Sequence, residues 1–362
     1  MRLAEAPQPA GGKGRRPLRR TAIPDWHALW TAYRMHWTRR RLLLRAFRKR
    51  GQLIPVCDRT GQIGKADILG LASVRNEAER LPYFLAHHRA LGVAHFLVVD
   101  NDSDDGTRDL LAAQPDVSLW RTGHSYRLSR FGMDWLTWLM IRHGHGHWCL
   151  TLDADELLVY PHHDTRPLPD LTAWLDAHGQ PAFGAVMLDL YPKGPVADGH
   201  YAPGQDPTEV IGWFDAGNIA TKYQPPLKNL LVRGGVRQRM FFAAEPERAP
   251  TLSKTPLIRW HRRYAYVSST HSALPTRLNR VRGREAGDLP SGVLLHTKFL
   301  PSIVEKSREE KRRREHFANC ALYEDYYDAL IANPDLWCPD STRYDGWRQL
   351  EALGLMSRGG WD

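Results

Sequence analysis

The sequence predicts an α/β protein built on a Rossmann-like, mostly parallel sheet flanked by helices, with helical extensions at its N- and C-termini. Three observations predict it. Apolar runs of strand length alternate with segments of helix length from Asp67 to Leu152, which is the pattern of βα units. Acidic or amide residues, Asp100, Asn101, Asp153 and Asp155, stand where those runs end, and sheets of this kind bind ligands beyond the carboxyl ends of their strands. The chain's 362 residues, 42% hydrophobic and 25% charged, are enough for one large folded body with extensions.

Residues 1–24 are rich in Pro, Gly, Ala and Arg and bury too little apolar surface to offset chain entropy, so a disordered basic tail is expected. Residues 1–50 hold 14 Lys or Arg against Glu5 and Asp25, a net of +12 that leaves −2 for the rest of the +10 total. The charge therefore describes a basic tail on a near-neutral body. Over residues 25–60 a basic amphipathic helical extension is expected. Trp26, Trp30, Tyr33, Trp37, Leu44 and Phe47 recur at helical spacing among Arg39 to Arg41 and Arg48 to Arg50. Two readings stay open for it: contact with an anionic membrane, or packing on the body with its charges in water.

The body is assigned to residues 61–316. Asp67–Ser73 reads as a buried strand, Asn76–Arg80 as a turn and Leu81–Leu91 as a helix. His95–Asp100 is the second strand, and Asp104-Asp-Gly106-Thr107 a turn opening a helix through Leu111. Val117–Trp120 is the third strand, residues 129–142 a helix, and Trp148–Leu152 a fourth strand that runs into Asp153. Residues 317–362 are expected to form a C-terminal helical extension.

Several function classes recede on composition. Cys57, Cys149, Cys320 and Cys338 are scattered with no CxxC pair, so neither a zinc site nor a disulfide framework is indicated and a reducing compartment is expected. No run of 18 apolar residues and no secretory apolar core is present, which leads to a cytoplasmic protein, or one peripheral at the inner face of the membrane. His143, His145 and His147 would invite zinc on a strand, but Gly144 and Gly146 between them read as a solvated connection. Lys311 to Arg314 lie in a charged stretch that reads as a solvated helix face. Basic and aromatic residues interleave only in the N-terminal helix, so no nucleic-acid partner is expected.

The sharpest motif is Leu152-Asp153-Ala-Asp155-Glu156 after an apolar strand. Two carboxylates two residues apart can both face one hard cation whose remaining ligands are diphosphate oxygens; alone, the motif is more often an exposed acidic turn. It follows Ala72-Ser73-Val-Arg75-Asn76-Glu77 at one strand end and Val99-Asp100-Asn101-Asp102-Ser103-Asp104-Asp105-Gly106-Thr107 at the next. In this order the three blocks resemble the family 2 glycosyltransferases of the GT-A fold, in particular the branch with NEAxRLPxFLxHHRxLG and DxDE motifs. The resemblance is dense over residues 67–162 and thinner to about 316.

That resemblance implies transfer of a sugar from a nucleotide-diphosphate-sugar donor to a saccharide or glycolipid acceptor of the cell envelope, with inversion and with Mn2+ or Mg2+. It implies Asn76, Glu77, Asp100 and Asn101 around the nucleotide and Asp153 and Asp155 on the metal. It also implies His296, delivered by the apolar strand Ser291–Phe299, as a third metal ligand, the other reading being a core histidine bonded to a backbone carbonyl; Lys298 beside it reads as a point charge on phosphate oxygens or as a residue in water. Asn101 departs from the acid common there, because an amide offers a donor as well as an acceptor, and the preferred base stays open. Asp189 and Asp215 are both candidates for the general base, with nothing in the sequence to choose between them. Two other readings stand beside this one. A nucleotidyltransferase would want a glycine-rich loop where Ser73–Glu77 stands, and a catalytically inert adapter would bind membrane or polyanion through the basic N-terminus.

Overall fold

The computed structural model describes residues 26–281, 289–313 and 324–362. The tail expected over residues 1–24 lies outside the described residues, as do residues 314–323. In chain order the strands are β1 (Ile54–Cys57), β2 (Ile68–Val74), β3 (Val93–Asp100), β4 (Val117–Arg121), β5 (Trp148–Thr151), β6 (Glu156–Val159), β7 (Ala182–Asp189), β8 (Trp213–Phe214), β9 (Ala220–Gln224), β10 (Asn229–Arg233), β11 (Ser253–Arg259), β12 (Ala265–Tyr266), β13 (Ala273–Leu274), β14 (Gly292–His296) and β15 (Thr342–Arg343). The helices are α1 (Trp26–Lys49), α2 (Leu81–Ala90), α3 (Thr107–Ala112), α4 (Met133–Arg142), α5 (Leu168–Ala177), α6 (Pro207–Val210), α7 (Gly235–Phe241), α8 (Ile303–Arg313), α9 (Glu324–Ile331) and α10 (Trp347–Ala352).

Nine strands form one sheet in the order β1-β4-β3-β2-β5-β11-β7-β14-β6. Strands β4, β3, β2, β5, β7 and β14 run in one direction and β1, β11 and β6 in the other. This is the mostly parallel, helix-flanked α/β sheet that the sequence predicts. Its central strands are apolar on both faces because both faces are covered. Ile68, Ala72, Val74, Phe96 and Val98 face a core shared with α2 and α5, whereas Leu69, Leu71, Leu97 and Val99 face one shared with α4. Alternation along each strand is what divides them.

Two local readings are corrected. Residues 54–57, placed inside a helical extension by sequence, form the short edge strand β1, whose exposed Ile54, Pro55 and Val56 give no alternation to read; Pro55 suits an edge, which needs no donor on its outer side. Helix α4 begins at Met133 rather than 129, because Arg130, Phe131 and Gly132 take positive φ angles of 58°, 57° and 74°, a left-handed stretch that no α-helix continues through. Helix α1 lies across α4, burying Leu42 and Ala46. Arg45 and Lys49 pair with the buried Asp134 at 2.9 and 3.3 Å. No described helix is long and apolar enough to cross a membrane.

Candidate active site

A cavity of about 560 Å³ opens beyond the carboxyl ends of β2, β5 and β14. Glu77, Asn101, Asp153, Asp155, His296 and Lys298, all singled out by sequence, line it. Asn76 lines a smaller adjoining cavity of about 100 Å³ that shares Glu77, Asp155 and Lys298. Asp100, Asp189 and Asp215 line neither cavity.

Sheet topology assembles the centre. Strand β14 sits between β7 and β6, pairing His296 with Asp189 on one side and Glu156 on the other. His296 Nδ1 is hydrogen-bonded to Asp189 Oδ1, and its Nε2 lies 3.1 Å from Asp155 Oδ2. Thr297, the next residue, donates to the Asp155 carbonyl from its backbone N–H (2.7 Å) and its hydroxyl (3.0 Å), which fixes the carboxylate against the ring. The other Asp189 oxygen accepts from Arg237 Nε at 2.8 Å. Burial alone would raise the Asp155 carboxyl, but His296, Lys298 and Arg80 hold it well below the usual carboxylate range. Burial likewise opposes the charged imidazole, yet Asp155 and Asp189 hold His296 above its ordinary value. Asp189 is pulled down to about 2 against its own burial, by Arg237 and His296.

Lys254 is the residue that sequence reasoning missed. It projects from β11 with only 3% of its side chain exposed, 3.0 Å from Asp153 Oδ2 and also hydrogen-bonded to the fully buried Glu156. The two carboxylates expected to face one cation are therefore divided, Asp153 toward Lys254 and Asp155 toward His296. Burial and the neighbouring Asp153 push Glu156 up, while Lys254 opposes them. The same two carboxylates hold Lys254 above its ordinary value although burial works the other way. Ser253–Arg259 reads Ser-Lys-Thr-Pro-Leu-Ile-Arg, so nothing in the segment marked its lysine as buried, where it needs a partner. Arg237 is a second missed residue. It is buried, it lines the cavity, and its Nη2 has no hydrogen-bond partner. The Gly234-Gly235 pair before it, with φ of 137° and 69°, is the backbone that turns it inward.

The loop after β2 is stitched to the loop after β3. Asn76, at φ 52°, donates from its backbone N–H to Ser103 Oγ and accepts from the Asp104 N–H, both at 3.0 Å. Glu77 pairs with Arg80 at 2.9 Å and Lys306 at 2.6 Å. Asp100, expected at the nucleotide, is fully buried against Arg108 at 2.9 Å. Asn101 spends both amide hydrogens on the carbonyls of Thr122 and His124, each at 3.0 Å. Oδ1 is then what remains to it, an acceptor as a carboxylate oxygen would be.

Neither general-base candidate faces the cavity. Asp189 is enclosed by His296 and Arg237. Asp215 holds Arg239 through two bonds of 2.8 and 3.0 Å and accepts from Tyr191 Oη. Each Asp215 oxygen accepts two hydrogen bonds, Oδ2 also from Asn218 Nδ2 at 3.3 Å, and each Asp189 oxygen accepts one, so both acids hold neighbouring side chains in place. His271, which also lines the cavity, keeps a free lone pair. Its Nδ1 donates to the Ser253 carbonyl at 2.8 Å, which leaves Nε2 as an acceptor, and burial beside Lys254 lowers the imidazole to about 4.

Among the described residues no cluster of three or more His, Cys, Asp and Glu is set to hold a metal ion; His147 instead bonds the Asp67 carbonyl at 3.0 Å. The Asp155–His296 pair nevertheless fits an open two-ligand site. Its carboxylate oxygen and imidazole nitrogen lie side by side, 3.1 Å apart, donor types that a divalent cation accepts. The Asp189 bond to Nδ1 is the orienting contact that metal-binding histidines carry.

No family model matches the chain, and no curated protein matches it. Solved structures similar to it include the mannosyltransferase PcManGT from Pyrobaculum calidifontis in complex with GDP-Man and Mn2+, at 20% identity and a TM-score of 0.23, covering 47% of each chain. A 4-diphosphocytidyl-2C-methyl-D-erythritol synthase matches at 17% identity and a TM-score of 0.24, over 40% of this chain and 70% of that one. A putative glucose-1-phosphate thymidylyltransferase from Bacillus anthracis, solved with a sucrose, matches at 9% and 0.29, over 80% and 95%. The chain thus spans about half the length of the mannosyltransferase it matches. Likenesses this distant leave the activity to be argued from the site.

Proposed function

We propose that the chain is a glycosyltransferase of the GT-A type, which takes a sugar from a nucleotide-diphosphate-sugar donor and passes it, with inversion, to a hydroxyl of a saccharide or glycolipid. The observation that carries this reading is the 3.1 Å approach of Asp155 Oδ2 to His296 Nε2 in a cavity whose same wall presents Lys298 and the unpartnered Arg237 Nη2. A diphosphate asks for this chemistry, several cationic donors around a hard-cation position. Asp155 and His296 would hold Mn2+ or Mg2+, which when bound neutralises a departing diphosphate.

The chain's own residues do the rest. Lys298 and Arg237 donate to phosphate oxygens, and Asn101 Oδ1 accepts a hydrogen bond from the base. Lys254 neutralises Asp153 and Glu156, so that the cavity floor does not repel the donor. The acceptor hydroxyl attacks the anomeric carbon as the bond to the diphosphate oxygen breaks, and its proton passes to His271 Nε2.

The test is hydrolysis and thermal stabilisation of the purified chain with nucleotide sugars in the presence of Mn2+ or Mg2+, beside an Asp155→Asn variant. Nucleoside diphosphate release and metal-dependent stabilisation, both lost in the variant, are expected. Pyrophosphate release from a nucleoside triphosphate and a sugar phosphate would replace this reading with a nucleotidyltransferase. Folded protein that binds no nucleotide sugar would end it.

A further inference from the structure

Helix α1 has two apolar faces. The inner one packs on the body through Leu42 and Ala46 and is pinned by the bonds of Arg45 and Lys49 to Asp134. The outer one carries Trp26, Trp30, Tyr33, Trp37, Leu44 and Phe47, each 47–73% exposed. These residues recur at intervals of three, four and seven over the 22 positions from Trp26 to Phe47, so they form one stripe about 32 Å long. Trp30 stacks on Tyr33 at 5.8 Å and Tyr33 meets Trp37 edge-on at 6.2 Å, which makes the aromatic part continuous. An apolar patch of this extent is rarely left to water without a partner.

The charges around the stripe choose the partner. Residues 26–50 hold eight Lys or Arg and no Asp or Glu. Arg40 lies over the Trp37 ring at 5.3 Å and Arg50 over the Phe47 ring at 3.8 Å, so cations flank the aromatics instead of standing apart from them. A second copy laid on this face would set cation against cation. A strand of nucleic acid asks for a groove with stacking platforms, whereas this stripe is convex. A lipid surface satisfies both features: aromatic and aliphatic side chains enter the boundary of the acyl region, and the arginines meet anionic headgroups.

We infer that α1 docks the protein onto an anionic lipid bilayer through its Trp26–Phe47 stripe. The basic end of the helix is bonded to the Leu128 carbonyl through Arg45, at 3.0 Å, and through Lys49. Leu128 belongs to the loop from which Tyr126 and Phe131 line the cavity. The lipid-facing helix is therefore bonded directly to a wall of the candidate site.

The experiment is flotation of the full chain with vesicles of phosphatidylcholine alone, or with about one third phosphatidylglycerol, in low salt and in about 0.5 M salt. Binding at least about tenfold greater to the anionic vesicles, and lost in high salt, is expected. A Trp30→Ser/Tyr33→Ser/Trp37→Ser variant is expected to keep the parent's melting temperature, because these side chains face water, and to lose about tenfold or more in partition. Absence of anionic binding in low salt would overturn the inference, as would an aromatic variant that binds like the parent. So would a dimer in sedimentation that the aromatic variant returns to monomer, or an oligonucleotide that outcompetes the vesicles. None of these readouts needs a donor or turnover, so the proposed activity and this docking fail separately.

Discussion

Replacing Lys254 with methionine keeps most of the side chain's volume and removes the ammonium bonded to Glu156 and Asp153. The Glu156 side chain has no exposure and that of Lys254 only 3%, so water does not step into the vacated place. Stranding a buried carboxylate in this way costs about 3 kcal/mol. At about 2.1 cal/mol/K per residue over 362 residues, that lowers Tm by about 4 °C. The loss depends on pH. Glu156 already sits above its ordinary value, and without Lys254 its folded-state pKa climbs further above that of the unfolded chain. Between the two values the folded protein keeps a proton that the unfolded chain has released, so stability falls as pH rises and little is lost near about pH 4. Lys254→Met combined with Glu156→Gln has no buried charge to strand at that position, recovers most of the loss and flattens its pH dependence. Urea and thermal unfolding across about pH 4 to 8 read this out. A single variant within about 0.5 kcal/mol of the parent at the upper end, or a double variant as unstable as the single, would refute the reasoning.

Five further outcomes are expected. Mn2+ must displace the proton that Asp155 and Asp189 help His296 retain, so Mn2+ affinity measured by calorimetry should rise with pH, by about tenfold per unit below the imidazole pKa. Asp189→Asn, which disturbs the ring's orientation, should weaken it by roughly 10–100-fold. His271→Asn should lower turnover by about 10²-fold or more while donor affinity stays within about twofold, and equal loss of both would remove His271 as the base. Asp215→Asn, which frees Arg239, should cost about 1.5–3 kcal/mol in denaturant unfolding and leave donor binding unchanged; selective loss of turnover would return Asp215 to the site. Gly234→Ala would bring a Cβ to 2.2 Å from the Asn218 carbonyl oxygen at φ 137°, and should destabilise by about 2 kcal/mol or more in the same assay.

Much of the first half of the site was legible because it is local. Asp153 and Asp155 follow an apolar strand directly, and Asn76, Glu77 and Asn101 sit in turns next to such strands, so each residue's place followed from chain neighbours. Lys254 and Arg237 were not legible. They reach the same cavity from 98 and 81 positions beyond Glu156, and nothing in their own segments says which carboxylate they meet. Asp100 was ambiguous for a related reason: a strand-end acid reads the same whether it faces a crevice or, as here, an arginine eight residues on. Strand β1 was lost because a four-residue edge strand exposes most of its length.

By itself the sequence determined the alternation of strands and helices, the acidic strand ends and a helix rich in aromatics and cations, because periodicity and turn chemistry act over a few residues. Only the tertiary structure decided which strands became neighbours. Setting β14 between β6 and β7 put His296 between Asp155 and Asp189 and made the latter an orienting group, and β11 brought Lys254 to Asp153 and Glu156. The packing of α1 through Leu42 and Ala46 likewise decided that its aromatic stripe faces outward. Each of these is a contact between residues far apart in the chain, fixed by sheet register and by which face a helix buries, and neither is written in any local stretch.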